Sequence, residues 1–213
     1  DVERSRGLGD VYKRQLLENA LPVSKILEDT YHLEGRQVLL FVGRLIDIKN
    51  LFFLLDALAL VVNRYPKVIL LFVGDGDQRV ALERHAERNG LADHVIFAGK
   101  KQGEDLYACY NVGQIFILPS YYERFGAVVN EALLAGCYTL CSVVAGAACL
   151  IEPQKNGDLF DPASKTYLAE KLAQSLKDCE GLKQISLKAN KMCYSYDQYI
   201  TSFFNQLNSI IDK

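Results

Sequence analysis

From residue 38 onward the chain alternates between two periods: apolar runs of strand length, rich in Val, Ile, Leu and Phe, and longer stretches of helical period. The runs lie at residues 38–42, 68–73, 94–97, 114–118, 138–141 and, shortest, 158–160. Helical stretches fill the gaps at 50–64, 78–89, 104–110, 126–135 and 164–178. A run that is apolar at every position, such as Val68-Ile69-Leu70-Leu71-Phe72-Val73, leaves no face for water. It has to be covered on both sides, the condition of a parallel sheet with crossover helices. The pattern predicts an α/β fold with a doubly wound, Rossmann-like parallel sheet over residues 38–182. A linker or helical lead-in is expected over 16–37 and a helical segment over 183–213, where Tyr194, Tyr196, Tyr199, Phe203 and Phe204 read as packing residues.

Composition narrows the function. With 213 residues and 50% hydrophobic content the chain can bury one good core. Lys and Arg number 24 against 26 Asp and Glu, a formal charge of -2, which argues against coating nucleic acid through an overall positive field. Any basic site is therefore local. Cys109, Cys137, Cys141, Cys149, Cys179 and Cys193 contain no C-x-x-C pair and sit mostly among apolar residues, as reduced, buried thiols of a cytoplasmic protein do. The longest apolar stretch, 51–62, carries Asp56 and falls short of the roughly 20 residues of a membrane span. Residues 1–15 are rich in Arg, Lys and Gly without an apolar centre, so they are no secretory signal and read as a non-native or disordered segment. The absent initiator Met fits a fragment whose natural N-terminal portion is missing.

In a doubly wound sheet, ligands sit at the carboxyl ends of the strands, near the reversal of strand order. Four loops of unusual composition fall there: Gly43-Arg44, Gly74-Asp75-Gly76-Asp77, Gly99-Lys100-Lys101 and the stretch from Ser120 to Gly126. The last continues as Glu123-Arg124-Phe125-Gly126-Ala127-Val128-Val129-Asn130-Glu131 and reads as a loop entering a helix. The first turn of such a helix carries unpaired N–H groups and partial positive charge, suited to a phosphate. Glu123 and Glu131 repel that same phosphate, so they suit neutral hydroxyls on either side of it, a sugar ring and a ribose. Arg44 and Lys49 place a planar fork and a mobile point charge at the exit of the first strand, where a pair of cations can straddle a diphosphate. Together these residues describe a nucleotide-sugar site.

Other motifs stay open. Gly74-Asp75-Gly76 superficially matches a dinucleotide fingerprint, but Arg79 stands where the third glycine belongs. Asp75-Gly76-Asp77 is also a D-x-D, by which some sugar transferases hold a metal, and turn chemistry or helix capping accounts for it equally well. His32, His85 and His94 are scattered outside these loops, and no G-x-S-x-G elbow or Cys/His pairing suggests a hydrolase. Tyr121 and Tyr122 suit either a pocket wall or simple packing.

Taken in order, Val42-Gly43-Arg44-Leu45 with Lys49, Gly74-Asp75-Gly76, Phe97-Ala98-Gly99, Pro119-Ser120, Glu123-Arg124-Phe125-Gly126, Glu131 and Asn156-Gly157-Asp158-Leu159-Phe160 resemble the C-terminal, donor-binding domain of GT-B fold retaining glycosyltransferases, the group 1 glycosyl transferases. The resemblance covers roughly residues 38–178. It implies transfer of a sugar, with retention, from a nucleoside diphosphate sugar to an acceptor hydroxyl, with Arg44, Lys49 and Glu123 as catalytic residues. Gly43, Lys101, Phe125, Gly126, Ala127 and Glu131 would then bind the donor, Lys101 facing the base and Glu131 the ribose diol. It further implies no metal and no cofactor beyond the donor substrate, an acceptor glycan or lipid-linked saccharide, and a missing N-terminal acceptor domain without which this half is inactive. A cytoplasmic setting, with peripheral contact at the inner membrane face and a part in cell-surface polysaccharide assembly, follows by the same analogy. The segment from Gly136 to Cys149 departs from the family pattern, lacking a Pro and a third acid. A nucleotide-sugar epimerase on the same fold and a non-catalytic scaffold are the alternatives.

Overall fold

The computed structural model describes residues 12–179 and 181–183 of the chain. A helix over 12–19 leads into α1 (Leu21–Thr30), whose first turn carries Pro22, where a missing N–H costs nothing. Strands and helices then alternate: β1 (Gln37–Val42), α2 (Leu51–Val61), β2 (Val68–Val73), α3 (Arg79–Arg88), β3 (Val95–Gly99), α4 (Gly103–Val112), β4 (Ile115–Leu118), α5 (Ala127–Leu134), β5 (Tyr138–Ser142), β6 (Gly157–Phe160) and α6 (Lys165–Leu176). Short 3-10 turns sit at Asp47–Lys49, Ala92–His94 and Gly146–Leu150. The helical segment expected over 183–213 lies outside the described residues apart from 183.

All six strands run parallel in the order β3-β2-β1-β4-β5-β6. The doubly wound expectation is therefore met. Alternate residues of each strand feed two cores. Val38, Leu40 and Val42 of β1 join Ile69, Leu71 and Val73 of β2 against α1, α4 and α5. Leu39 and Phe41 join Leu70 and Phe72 against α2, α3 and α6. Every residue of β2 is buried, as its unbroken apolar sequence requires. Burying one such Leu or Phe is worth about 1.5–3 kcal/mol, so these two strands anchor the sheet.

The chain order reverses between β1 and β4. Strand β1 pairs with β2 on one side and β4 on the other, so the connections after β1 and β4 leave toward opposite faces and open a crevice at the carboxyl edge. Helix α2 begins one residue later than expected because Asn50 adopts a left-handed conformation (φ 57), is buried, and donates from Nδ2 to the Pro162 carbonyl at 3.1 Å.

Candidate functional site

Two glycine loops meet backbone to backbone at the crevice. The Gly43 N–H donates to the Val73 carbonyl at 3.0 Å, and the Leu45 N–H to the Asp75 carbonyl at 3.0 Å. Gly74 takes φ 144, and a Cβ there would stand 1.8 Å from the Gly43 carbonyl oxygen, so only glycine lets the β2 exit approach the loop that carries Arg44. Asp75 accepts from the Gly76 N–H at 2.8 Å, so the D-x-D carboxylate caps its own turn. Among the described residues no group of three His, Cys, Asp or Glu comes together to hold a metal ion.

Arg44 is exposed on the carboxyl edge. Lys49 ends the short turn after it and is largely buried, its side chain 16% exposed. Its ammonium forms an ion pair with the Glu123 carboxylate, which is 19% exposed. The two sit in different loops, one after β1 and one after β4. Those loops are braced by the Tyr121 N–H donating to the Ile48 carbonyl at 3.0 Å. On its far side Glu123 forms a parallel bridge with Ala145, and its carbonyl accepts from the Gly146 N–H at 2.9 Å.

Gly126, in the left-handed region at φ 89, turns this loop into α5. Among the described residues no side chain caps that helix. Phe125 and Ala127, flanking the turn, are both exposed, so the first N–H groups open onto the carboxyl edge. Glu131 lies one turn further on. Its Oε2 accepts from the Tyr110 hydroxyl of α4 at 2.9 Å, and its Oε1 stands 3.3 Å from the Lys13 ammonium of the leading helix. Burial first, then the Glu131 charge and hydrogen bond, hold the Tyr110 hydroxyl well above its usual range, so it stays a donor. Lys101 leaves β3 at the same carboxyl edge.

The structure thus joins Lys49 to Glu123 directly and stations Gly43, Arg44, Lys101, Phe125 and Gly126 in the loops at the carboxyl ends of the strands, with Ala127 opening α5 and Glu131 one turn into it, tied to Tyr110 and Lys13. Sequence reading missed Tyr110, which sits in a helix and looks like any other apolar-face aromatic. It missed Lys13, which was set aside with residues 1–15. Ser120, fully buried where β4 ends, keeps a hydroxyl without a hydrogen-bond partner among the described residues.

A doubly wound sheet with this crevice is the architecture of a GT-B glycosyltransferase domain. Residues 24–192 match the family "Glycosyl transferases group 1", and the chain belongs to it. An uncharacterized glycosyltransferase of Methanocaldococcus jannaschii is 30% identical over 161 residues, 76% of this chain and 41% of that protein. The chain therefore spans less than half the length of this relative. The structure of Anabaena HepE in complex with UDP aligns at TM-score 0.72 and 24% identity, over 87% of this chain and 52% of that one. The C-terminal domain of a group 1 glycosyl transferase from Francisella tularensis, LpcC, aligns at TM-score 0.67 and 21% identity, over 83% of this chain and 92% of that domain. At these identities the two structures establish the fold.

Proposed function

We propose that this chain is the donor-binding half of a retaining glycosyltransferase that moves a sugar from a nucleoside diphosphate sugar to an acceptor hydroxyl. One observation carries the reading: the Lys49 and Glu123 ion pair lies at the strand-order reversal, between the exposed Arg44 and the uncapped start of α5. A cation beside an anion at that place suits the boundary between a diphosphate and a sugar. Lys49 and Arg44 take phosphate oxygens, the first N–H groups of α5 take a further one, and Glu123 accepts from sugar hydroxyls. Glu131, fixed by Tyr110, accepts from the ribose diol. That HepE has been crystallised with UDP and with UDP-glucose supports a nucleotide-sugar donor.

In the reaction the bond between the anomeric carbon and the diphosphate breaks while the acceptor oxygen bonds that carbon and passes its proton to the departing diphosphate oxygen. Negative charge gathers on the departing diphosphate. Fixed cations and helix N–H groups aimed at it stabilise the transition state more than the ground state, so Arg44 contributes more to turnover than to donor affinity. The reaction runs without a metal ion. The acceptor, a glycan or lipid-linked saccharide, binds a further domain, and the isolated half does not turn over. The setting is cytoplasmic, at the inner membrane face, in cell-surface polysaccharide assembly. Among the described residues no helix is long and apolar enough to cross a membrane.

The test is Arg44→Ala in the full-length enzyme, with the anomeric configuration of the product read by NMR. Loss of most of kcat with retained donor binding, and a product of unchanged configuration, supports the proposal. Near-wild-type turnover sinks the assignment of Arg44, and sugar interconversion without an acceptor marks an epimerase.

A further inference from the structure

The opposite edge of the sheet holds a groove of about 460 Å3 lined by Gly35, Arg36, Gln37, Arg64, Tyr65, Pro66, Lys67, Gln114 and Cys179. Three of those nine residues are permanent cations and none is an acid, in a chain whose overall charge is -2. Among the described residues two of the three are held in place without a counter-charge. The Arg36 guanidinium donates from Nε to the Lys67 carbonyl at 3.2 Å and from one terminal nitrogen to the Asp93 carbonyl at 3.3 Å. The Arg64 guanidinium lies 5.6 Å from the centre of the Tyr65 ring, and the Tyr65 hydroxyl is itself tied to the Ala173 carbonyl at 2.8 Å. Lys67 is exposed and mobile in reach. Among the described residues none of the three meets a carboxylate in an ion pair.

Cations gathered without acids repel one another, a standing cost that an anion relieves. We propose that this groove is a second anion site, selective for a phosphomonoester, about 20 Å from the crevice across the length of β1. Two pre-set guanidinium forks and one ammonium match the several oxygens and near-dianionic charge of a terminal phosphate better than a monovalent carboxylate. The same chemistry is presented by a soluble phosphorylated metabolite and by a phosphatidic acid headgroup.

The experiment titrates glycerol 3-phosphate into the 213-residue chain by calorimetry and, in parallel, co-sediments the chain with phosphatidylcholine vesicles holding about one fifth phosphatidic acid. Variants are Arg64→Glu with Lys67→Glu, a milder Arg64→Gln with Lys67→Gln for use should the first lower Tm, and Arg44→Ala with Lys49→Ala to remove cations from the crevice. Binding that falls about tenfold or more in the groove variants, stays within about twofold in the crevice variant and weakens with added salt is the expected result. If this behaviour is seen with vesicles alone, the ligand is the lipid headgroup; if with glycerol 3-phosphate, a soluble phosphate suffices. Binding indifferent to the groove variants, or no binding of either probe, overturns the proposal.

Discussion

Lys49 and Glu123, 74 residues apart in the chain, form an ion pair that bridges the two loops leaving β1 and β4 in opposite directions. The pair ties together the parts of the crevice that a ligand has to span, and it makes the two side chains depend on each other. Removing Lys49 leaves the Glu123 carboxylate largely buried without its counter-charge. Lys49→Ala is therefore expected to lower stability by about 1–3 kcal/mol in urea unfolding, and Glu123→Gln by less, because the amide keeps an oxygen for Lys49.

The same pair gives a binding prediction of opposite sign. A diphosphate bound at Lys49, as proposed, would compete with Glu123 for the ammonium. Glu123→Gln is expected to bind free nucleoside diphosphate as well as or more tightly than the parent chain while losing the added affinity of the attached sugar. Parallel titrations with UDP and UDP-glucose check this. Weaker UDP binding together with an intact sugar increment would place Glu123 elsewhere in the site.

Much of this arrangement was legible in the sequence, for reasons that particular residues make plain. The run from Val68 to Val73 announced a strand covered on both faces because no residue in it tolerates water, and its observed bounds match. Asn50 was read as the first helical residue, whereas its left-handed conformation comes from a tertiary hydrogen bond to Pro162, over a hundred residues away and invisible to local pattern. Arg44, Lys49 and Glu123 stand out because charge in a loop leaving a strand has no packing role, and Glu131 because it follows Glu123 by eight residues across the start of a helix. The partners of those charges do not. Tyr110 carries the same apolar-face signature as its neighbour Tyr107, and only the packing of α4 beside α5 turns its hydroxyl toward Glu131.

Gly74→Ala tests the contact between the two glycine loops. Its Cβ would stand 1.8 Å from a backbone oxygen, with no flexible side chain to give way. A loss of about 3 kcal/mol or more in chemical unfolding is expected, together with weaker nucleotide binding as the Arg44 loop moves. Wild-type stability would mean that the loops do not pack this closely.

The buried thiols predict an alkaline limit. Burial pushes Cys137 up to about 11 and Cys109 and Cys141 up to about 12, from an ordinary value of 9.0. Between those values the unfolded chain has lost protons that the folded chain keeps. Stability is thus fully present below pH 9 and falls as pH rises toward 12, and thermal melts across that range follow it. A thiol reagent at neutral pH should find Cys149 first, since Cys109, Cys137, Cys141 and Cys179 are buried. In a Cys193→Ser background, Cys149→Ser should abolish the fast phase.

Lys13 stands on the oxygen of Glu131 that a ribose would need. Deleting residues 1–15 is expected to leave nucleotide affinity unchanged or raise it a few-fold, about what one partly exposed ion pair is worth. A marked fall would instead make Lys13 part of the binding surface.

The most direct measurement is calorimetry of the chain with uridine, guanosine and adenosine diphosphates, repeated on Lys49→Ala and Glu131→Ala. One of the three nucleotides should bind, with affinity reduced about tenfold or more in each variant as a charge-assisted contact is lost. No heat from any of them, or binding indifferent to both substitutions, would contradict a diphosphate lying between Lys49 and Glu131.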